Sequence, residues 1–183
     1  SAIFARLTAA VPAGVQLGFH LCYGDLDAEH SVQPQDLGKA VELVGGSDLT
    51  IFATGLLVAE SMRAADVLDN EGISARVVDV HTIKPLDREM IRKAAAETGA
   101  IVVAEEHLVD GGLGVRVAQV AAELHPCVME FVGIRNTYAE SGAPDQLLDK
   151  YGLVARDVAE AARNTNGGVA AQDLQAEEAG EGH

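Results

Sequence analysis

Between Leu49 and Gly114 the chain alternates short runs of Val, Ile, Phe and Ala with longer stretches whose apolar residues recur every three or four positions. Leu49 to Ala53, Ala75 to Val80 and Ile101 to Ala104 are nearly all apolar, which is how strands buried on both faces read. The first stretch between them carries a helical stripe of Leu57, Val58, Ser61, Met62, Ala65 and Leu68, closed by Asn70 to Gly72. In the second, Pro85 disfavours helix before it, Asp87 caps or begins a helix through Glu97, and Gly99 stops it. This rhythm predicts consecutive parallel βα units.

The pattern extends on both sides. Gly38 to Val44 predicts a short strand, and the turn Gly45 to Asp48 predicts a hairpin that sets it antiparallel beside the strand from Leu49, at one sheet edge. Gly111 to Gly114 open a helix reaching about Leu124, with Val117, Val120, Ala121 and Leu124 inward. Cys127 to Val132 read as a last strand. Ser141 or Asp145 caps a helix from Gln146 to Tyr151, and Val154 to Asn164 form a final amphipathic helix. The expected fold is α/β and three-layered: a mostly parallel five-stranded sheet with one antiparallel edge strand and helices on both faces. Residues 37–165 form this unit. Residues 166–183 are small, polar and acidic, the composition of a disordered tail.

Residues 1–36 lack the βα rhythm and read as an N-terminal extension: Phe4 to Val11 as a short helix ended by Pro12, Val15 to Cys22 as a strand, then an acidic loop through Asp36. His20 and Cys22 would share one face of that strand. A zinc site needs three or four protein ligands, and only His30 and nearby acids are local candidates to complete one. The competing reading is a half-buried His and Cys in an ordinary strand.

With 183 residues and 48% hydrophobic content, the chain can bury one ordinary core. A net charge of -15 and a pI near 4.6 argue against a broad nucleic-acid or anionic-membrane surface. No apolar run approaches the roughly 20 residues of a membrane span. Cys22 and Cys127 make no disulfide framework, so a reducing, cytoplasmic setting is expected.

Open α/β sheets bind and dock where their strands end, and the candidate chemistry gathers there. Gly111, Gly112 and Gly114 can expose backbone N–H groups to a phosphate or carboxylate at a helix start; the alternative is tight packing against a neighbouring domain. They do not make the dinucleotide fingerprint. Glu105, Glu106 and His107 suit acid-base chemistry, or the acids accept from loop N–H groups or a partner's Arg. His81, oriented by Asp79 and beside Lys84, and Arg135 offer further polar contacts.

Taken together, several of these stretches resemble the carboxyl-terminal domain of the transketolase family of thiamine diphosphate enzymes, over about residues 38–163. They are Gly38 to Ala40, Ser47 to Ile51, Thr54-Gly55, Val78 to Asp87, Val103 to His107, Gly111 to Gly114 and Glu140 to Gly152. The resemblance implies a small α/β domain that serves subunit assembly, in an enzyme transferring a two-carbon ketol unit through thiamine diphosphate and magnesium. In such enzymes the cofactor lies between a diphosphate-binding domain, with a Gly-Asp-Gly and Asn signature, and a pyrimidine-binding domain that supplies a Glu. Neither is present here, and Gly24-Asp25 is followed by Leu26. The expectation is therefore a chain that binds no cofactor alone and needs a thiamine diphosphate-binding partner domain or subunit, in a homo- or hetero-oligomer. Transketolase, deoxyxylulose phosphate synthase and 2-oxo acid dehydrogenase subunits all fit. Two alternatives stand beside it: a stand-alone module for a small anion or phosphorylated effector, and a truncated or fused product without function. Gly18 to Gly24 is also similar to the His-x-Cys zinc strand of cobalamin-independent methionine synthase-like proteins, over that stretch alone.

Overall fold

The computed structural model describes residues 38–180. The helix, the strand and the His20 and Cys22 pair expected in residues 1–36 lie outside the described residues. The elements in order are β1 (Val41–Val44), β2 (Leu49–Ala53), α1 (Leu57–Asn70), β3 (Ala75–Asp79), α2 (Arg88–Thr98), β4 (Ala100–Leu108), α3 (Leu113–Leu124), β5 (Val128–Ile134), α4 (Pro144–Lys150) and α5 (Ala155–Gly180). They form one five-stranded sheet in the order β1-β3-β2-β4-β5, parallel throughout except for the antiparallel pairing of β1 with β3.

Alternation along the strands divides the core in two. Leu49, Ile51, Val77 and Val102 pack beneath α1 and α5 against Leu57, Leu68 and Val158. Phe52, Val78, Ile101 and Val103 face α2 and α3, meeting Ile91 and Val117. Both faces being covered explains the nearly unbroken apolar runs. Asp87 accepts from Met90 N–H at 3.0 Å to cap α2, and Gly99 ends that helix in the left-handed region. The helical layer over β2 is tied at both ends. Glu60 accepts from Ala155 N–H at 2.8 Å, and Arg163 forks onto Glu71 at 2.7 and 2.8 Å, holding the Glu71 carboxyl below its usual range.

The expected hairpin does not form. β1 lies at the sheet edge and runs antiparallel, but its partner is β3 and not β2. Gly46 shows why: a Cβ there would stand 2.3 Å from the Ala75 carbonyl carbon and the Arg76 nitrogen, so the connection presses across the start of β3. Ser47 and Asp48 N–H groups both donate to the Ser74 carbonyl, and Asp48 accepts Ser74 N–H, fastening the crossing.

Smaller boundaries also move. β4 runs four residues past Ala104, and Leu124 faces solvent. α4 begins with Pro144 after Ala143 and has no side-chain cap, so neither Ser141 nor Asp145 serves; proline's fixed φ suits a first helical position. α5 continues through Gly180, past Asn164 where the amphipathic pattern ends it.

Candidate functional site

The parallel strands all end on one edge of the sheet, and β4 reaches furthest along it. Its pairing with β5 slips there: Ala104 stands opposite Val132, but Leu108 stands opposite Ile134. Glu105, Glu106 and His107 therefore bulge against Gly133 alone, whose absent side chain lets the His107 carbonyl come within 3.0 Å of where a Cβ would sit.

The bulge puts the Glu105 carboxylate under the start of α3. It accepts from Leu113 N–H at 2.8 Å and from Gly114 N–H at 2.9 Å, and the residue is only 5% exposed. Two amides that a helix leaves without internal partners are thus satisfied from inside the protein, and the negative charge sits at the positive end of the helix dipole. The glycines make this approach possible. A Cβ on Gly112 would lie 2.3 Å from a Glu105 carboxylate oxygen, one on Gly114 would lie 2.6 Å from the Phe131 ring, and Gly111 turns the chain with φ +86.

Of the residues marked in the sequence, the structure brings Glu105 together with Gly111, Gly112 and Gly114. Glu106 and His107 are exposed on the same bulge, and His107 Nδ1 lies 2.9 Å from the Leu108 carbonyl oxygen. With both Glu105 oxygens committed to α3, that carboxylate does not orient His107. His81 follows β3, separated from β4 by β2; its Nδ1 is 2.8 Å from Thr82 Oγ1, and its buried Nε2 has no hydrogen-bond partner among the described residues. Arg135 is exposed just beyond β5. These residues share an edge of the sheet, with β2 standing between His81 and the β4 bulge.

Three features were not foreseen. Asp87 also accepts from Ala40 N–H at 2.9 Å, anchoring the chain where it enters the domain. Buried Arg76 reaches Glu97 at 2.8 Å and lies 3.7 Å from Glu42. A groove of about 440 Å³ flanks β5, lined among others by Glu130, Arg135, Tyr151, Asp157 and Glu160. Of the candidate site residues read from the sequence, Arg135 alone lines it.

Residues 38–158 match the family model described as transketolase, C-terminal domain. The chain belongs to this transketolase family. It is 45% identical over 126 residues to the 6-deoxy-6-sulfo-D-fructose transketolase subunit SqwH of Clostridium sp. (strain MSTE9), covering 69% of this chain and 39% of that protein. It is 42% identical over 139 residues to the 1-deoxy-D-xylulose-5-phosphate synthase of Heliobacterium modesticaldum, covering 75% of this chain and 21% of that one. Among solved structures, a split gene transketolase described as an inactive beta4 tetramer superposes with a TM-score of 0.69 and 46% identity, over 70% of this chain and 42% of that one. The chain thus spans between about a fifth and two fifths of the length of these relatives. As in the family's domain, the sheet is mostly parallel with a single antiparallel edge pairing, as expected. The described residues hold no helix long and apolar enough to cross a membrane.

Proposed function

We propose that this chain serves subunit assembly in a transketolase-type enzyme, and that two-carbon ketol transfer is completed by a partner domain or subunit that binds thiamine diphosphate and magnesium. The observation that carries this reading is the extent of the match: the C-terminal domain model covers residues 38–158, and the aligned stretch makes up only 21% to 42% of the relatives. The subunit naming of one relative and the tetramer of another support an oligomer built with further polypeptide.

The local chemistry supports assembly over ligand binding. A diphosphate or a phosphorylated effector at Gly111 to Gly114 would compete for the Leu113 and Gly114 amides that Glu105 already holds, and it would meet that buried negative charge. The glycine turn does not fit the cofactor's diphosphate, so no step of the reaction is assigned to this chain. What the domain offers instead is an exposed edge carrying Glu106, His107, Arg135 and neighbouring apolar side chains.

The test is a ketol-transfer assay with thiamine diphosphate and magnesium, run on the chain alone and after mixing with separately prepared thiamine-binding sections of a transketolase. Transfer only in the mixture is the expected result. Transfer by the chain alone overturns the proposal.

A further inference from the structure

β5 is the last strand of the sheet: β4 pairs along one side of it, and no strand of the described residues pairs along the other. Glu130, Phe131, Val132 and Gly133 all line the groove beside it. Successive strand side chains point to opposite faces, so four residues in a row line one groove only where it runs along the strand's own edge. The backbone groups agree. The Ile134 carbonyl accepts from Val109 N–H, on the β4 side. Backbone groups alternate in direction along an extended strand, so the N–H and C=O of Phe131 and Gly133 point the other way, toward the groove. Arg135 Nη2 reaches back to the Phe131 carbonyl there, at a long 3.5 Å. The facing wall is one side of α5, where Asp157, Glu160, Ala161 and Asn164 recur at helical spacing.

Charge says what fits against that edge. Three carboxylates line the groove, Glu130, Asp157 and Glu160, with two cations, Lys150 and Arg135. Lys150 is drawn to Glu140, outside the lining, and Asp157 has Arg156 at 3.5 Å. Among the described residues Glu130 and Glu160 have no ion pair. An open strand edge takes an extended segment, and unpaired carboxylates beside it select Lys or Arg on that segment. This chain's own ends are the wrong sign. Residues 1–37 carry Arg6 and no lysine against Asp25, Asp27, Glu29 and Asp36, and residues 167–183 carry acids without Lys or Arg. A second copy brings a net charge of -15.

We propose that the groove beside β5 takes a short, basic, extended segment of another polypeptide, hydrogen-bonded to the strand edge at Phe131 and Gly133 with its Lys or Arg side chains on Glu130 and Glu160. Arg135 guards that edge when no segment is bound. Its guanidinium covers the carbonyl the segment needs and repels the segment's charge, the protection that charged side chains give sheet edges elsewhere. The proposal adds a partner to the assembly reading and does not depend on it.

The test titrates the full 183-residue chain into a labelled, end-blocked hexapeptide alternating lysine and valine, followed by fluorescence anisotropy, with a glutamate and valine hexapeptide as control. The basic peptide should bind at least tenfold tighter than the acidic one. Glu130→Gln with Glu160→Gln should weaken it at least fivefold, and Arg135→Ala should tighten it. N-methylating alternate peptide amides, on each of the two possible sets, should cost at least tenfold for one set. Hydrogen exchange on the wild-type chain gives a readout free of folding defects: the Phe131 and Gly133 amides should slow with peptide, and those of β1, the opposite edge, should not. Equal binding of the acidic peptide, or weaker binding by Arg135→Ala, overturns the basic occupant. Protection at β1 in place of β5 overturns the site, and equal binding by both methylated peptides overturns the strand pairing. No binding of the basic peptide at millimolar concentration overturns the proposal entirely.

Discussion

Replacing Glu105 removes a buried carboxylate that accepts two amides at 2.8 and 2.9 Å. Glu105→Gln keeps the shape but offers one acceptor oxygen, and turns an NH2 group toward the second N–H. Leaving a buried donor unsatisfied costs about 1–3 kcal/mol, and losing the favourable charge at a helix N-terminus costs about 0.3–1 kcal/mol more. The carboxylate's own desolvation opposes these terms, so the expected loss is about 2–3 kcal/mol for both Glu105→Gln and Glu105→Ala. For a domain of this size that corresponds to roughly 10 °C in Tm. Urea titration with a common m-value is the assay, and Glu106→Gln, exposed on the same bulge, is the control expected within about 0.5 kcal/mol of wild type. A Glu105→Gln protein as stable as that control would refute the claim that this carboxylate holds the start of α3.

Gly112→Ala should lose about 1–3 kcal/mol through the contact of its new methyl with Glu105, and lose much less in a Glu105→Ala background, which a double-mutant cycle in urea measures. Arg76 is buried, and its Nε and Nη1 have no hydrogen-bond partner among the described residues, so Arg76→Met should be neutral or stabilising, whereas Glu97→Ala, which strips away the nearer of its two carboxylates, should cost about 2 kcal/mol or more. Burial pushes the Cys127 thiol up, so in a Cys22→Ser variant alkylation of the folded chain at pH 8 should be slower than in urea. The folded state binds that proton more tightly, so stability is full below the ordinary thiol pKa near 8.5 and falls as pH rises through it, which chemical denaturation between about pH 7 and 10 would show.

The elements buried on both faces were legible because burial dictates their composition: Leu49 to Ala53 and Ala75 to Val78 are buried throughout, with Arg76 the one charged side chain among them. Caps that act within a few residues, such as Asp87 and Gly99, were equally legible. The neighbour of β1 was not. The pair Gly45-Gly46 suits a tight hairpin and a crossing over β3 alike, and only the Ala75 to Arg76 backbone pressing on Gly46 distinguishes them. The same limit explains the site. Gly111 to Gly114 announced exposed amides at a helix start, but whether the anion they hold is external or is Glu105 depends on a two-residue slip in the pairing of β4 with β5. Gly133, opposite that slip, was the residue that pointed to it. The carboxyl edge as a location followed from the βα pattern.

Titration calorimetry of thiamine diphosphate with magnesium into the isolated chain tests the central claim most directly. The account predicts no saturable heat at micromolar cofactor, with binding appearing only when thiamine-binding sections are added. Tight, magnesium-dependent uptake by the chain alone would contradict it.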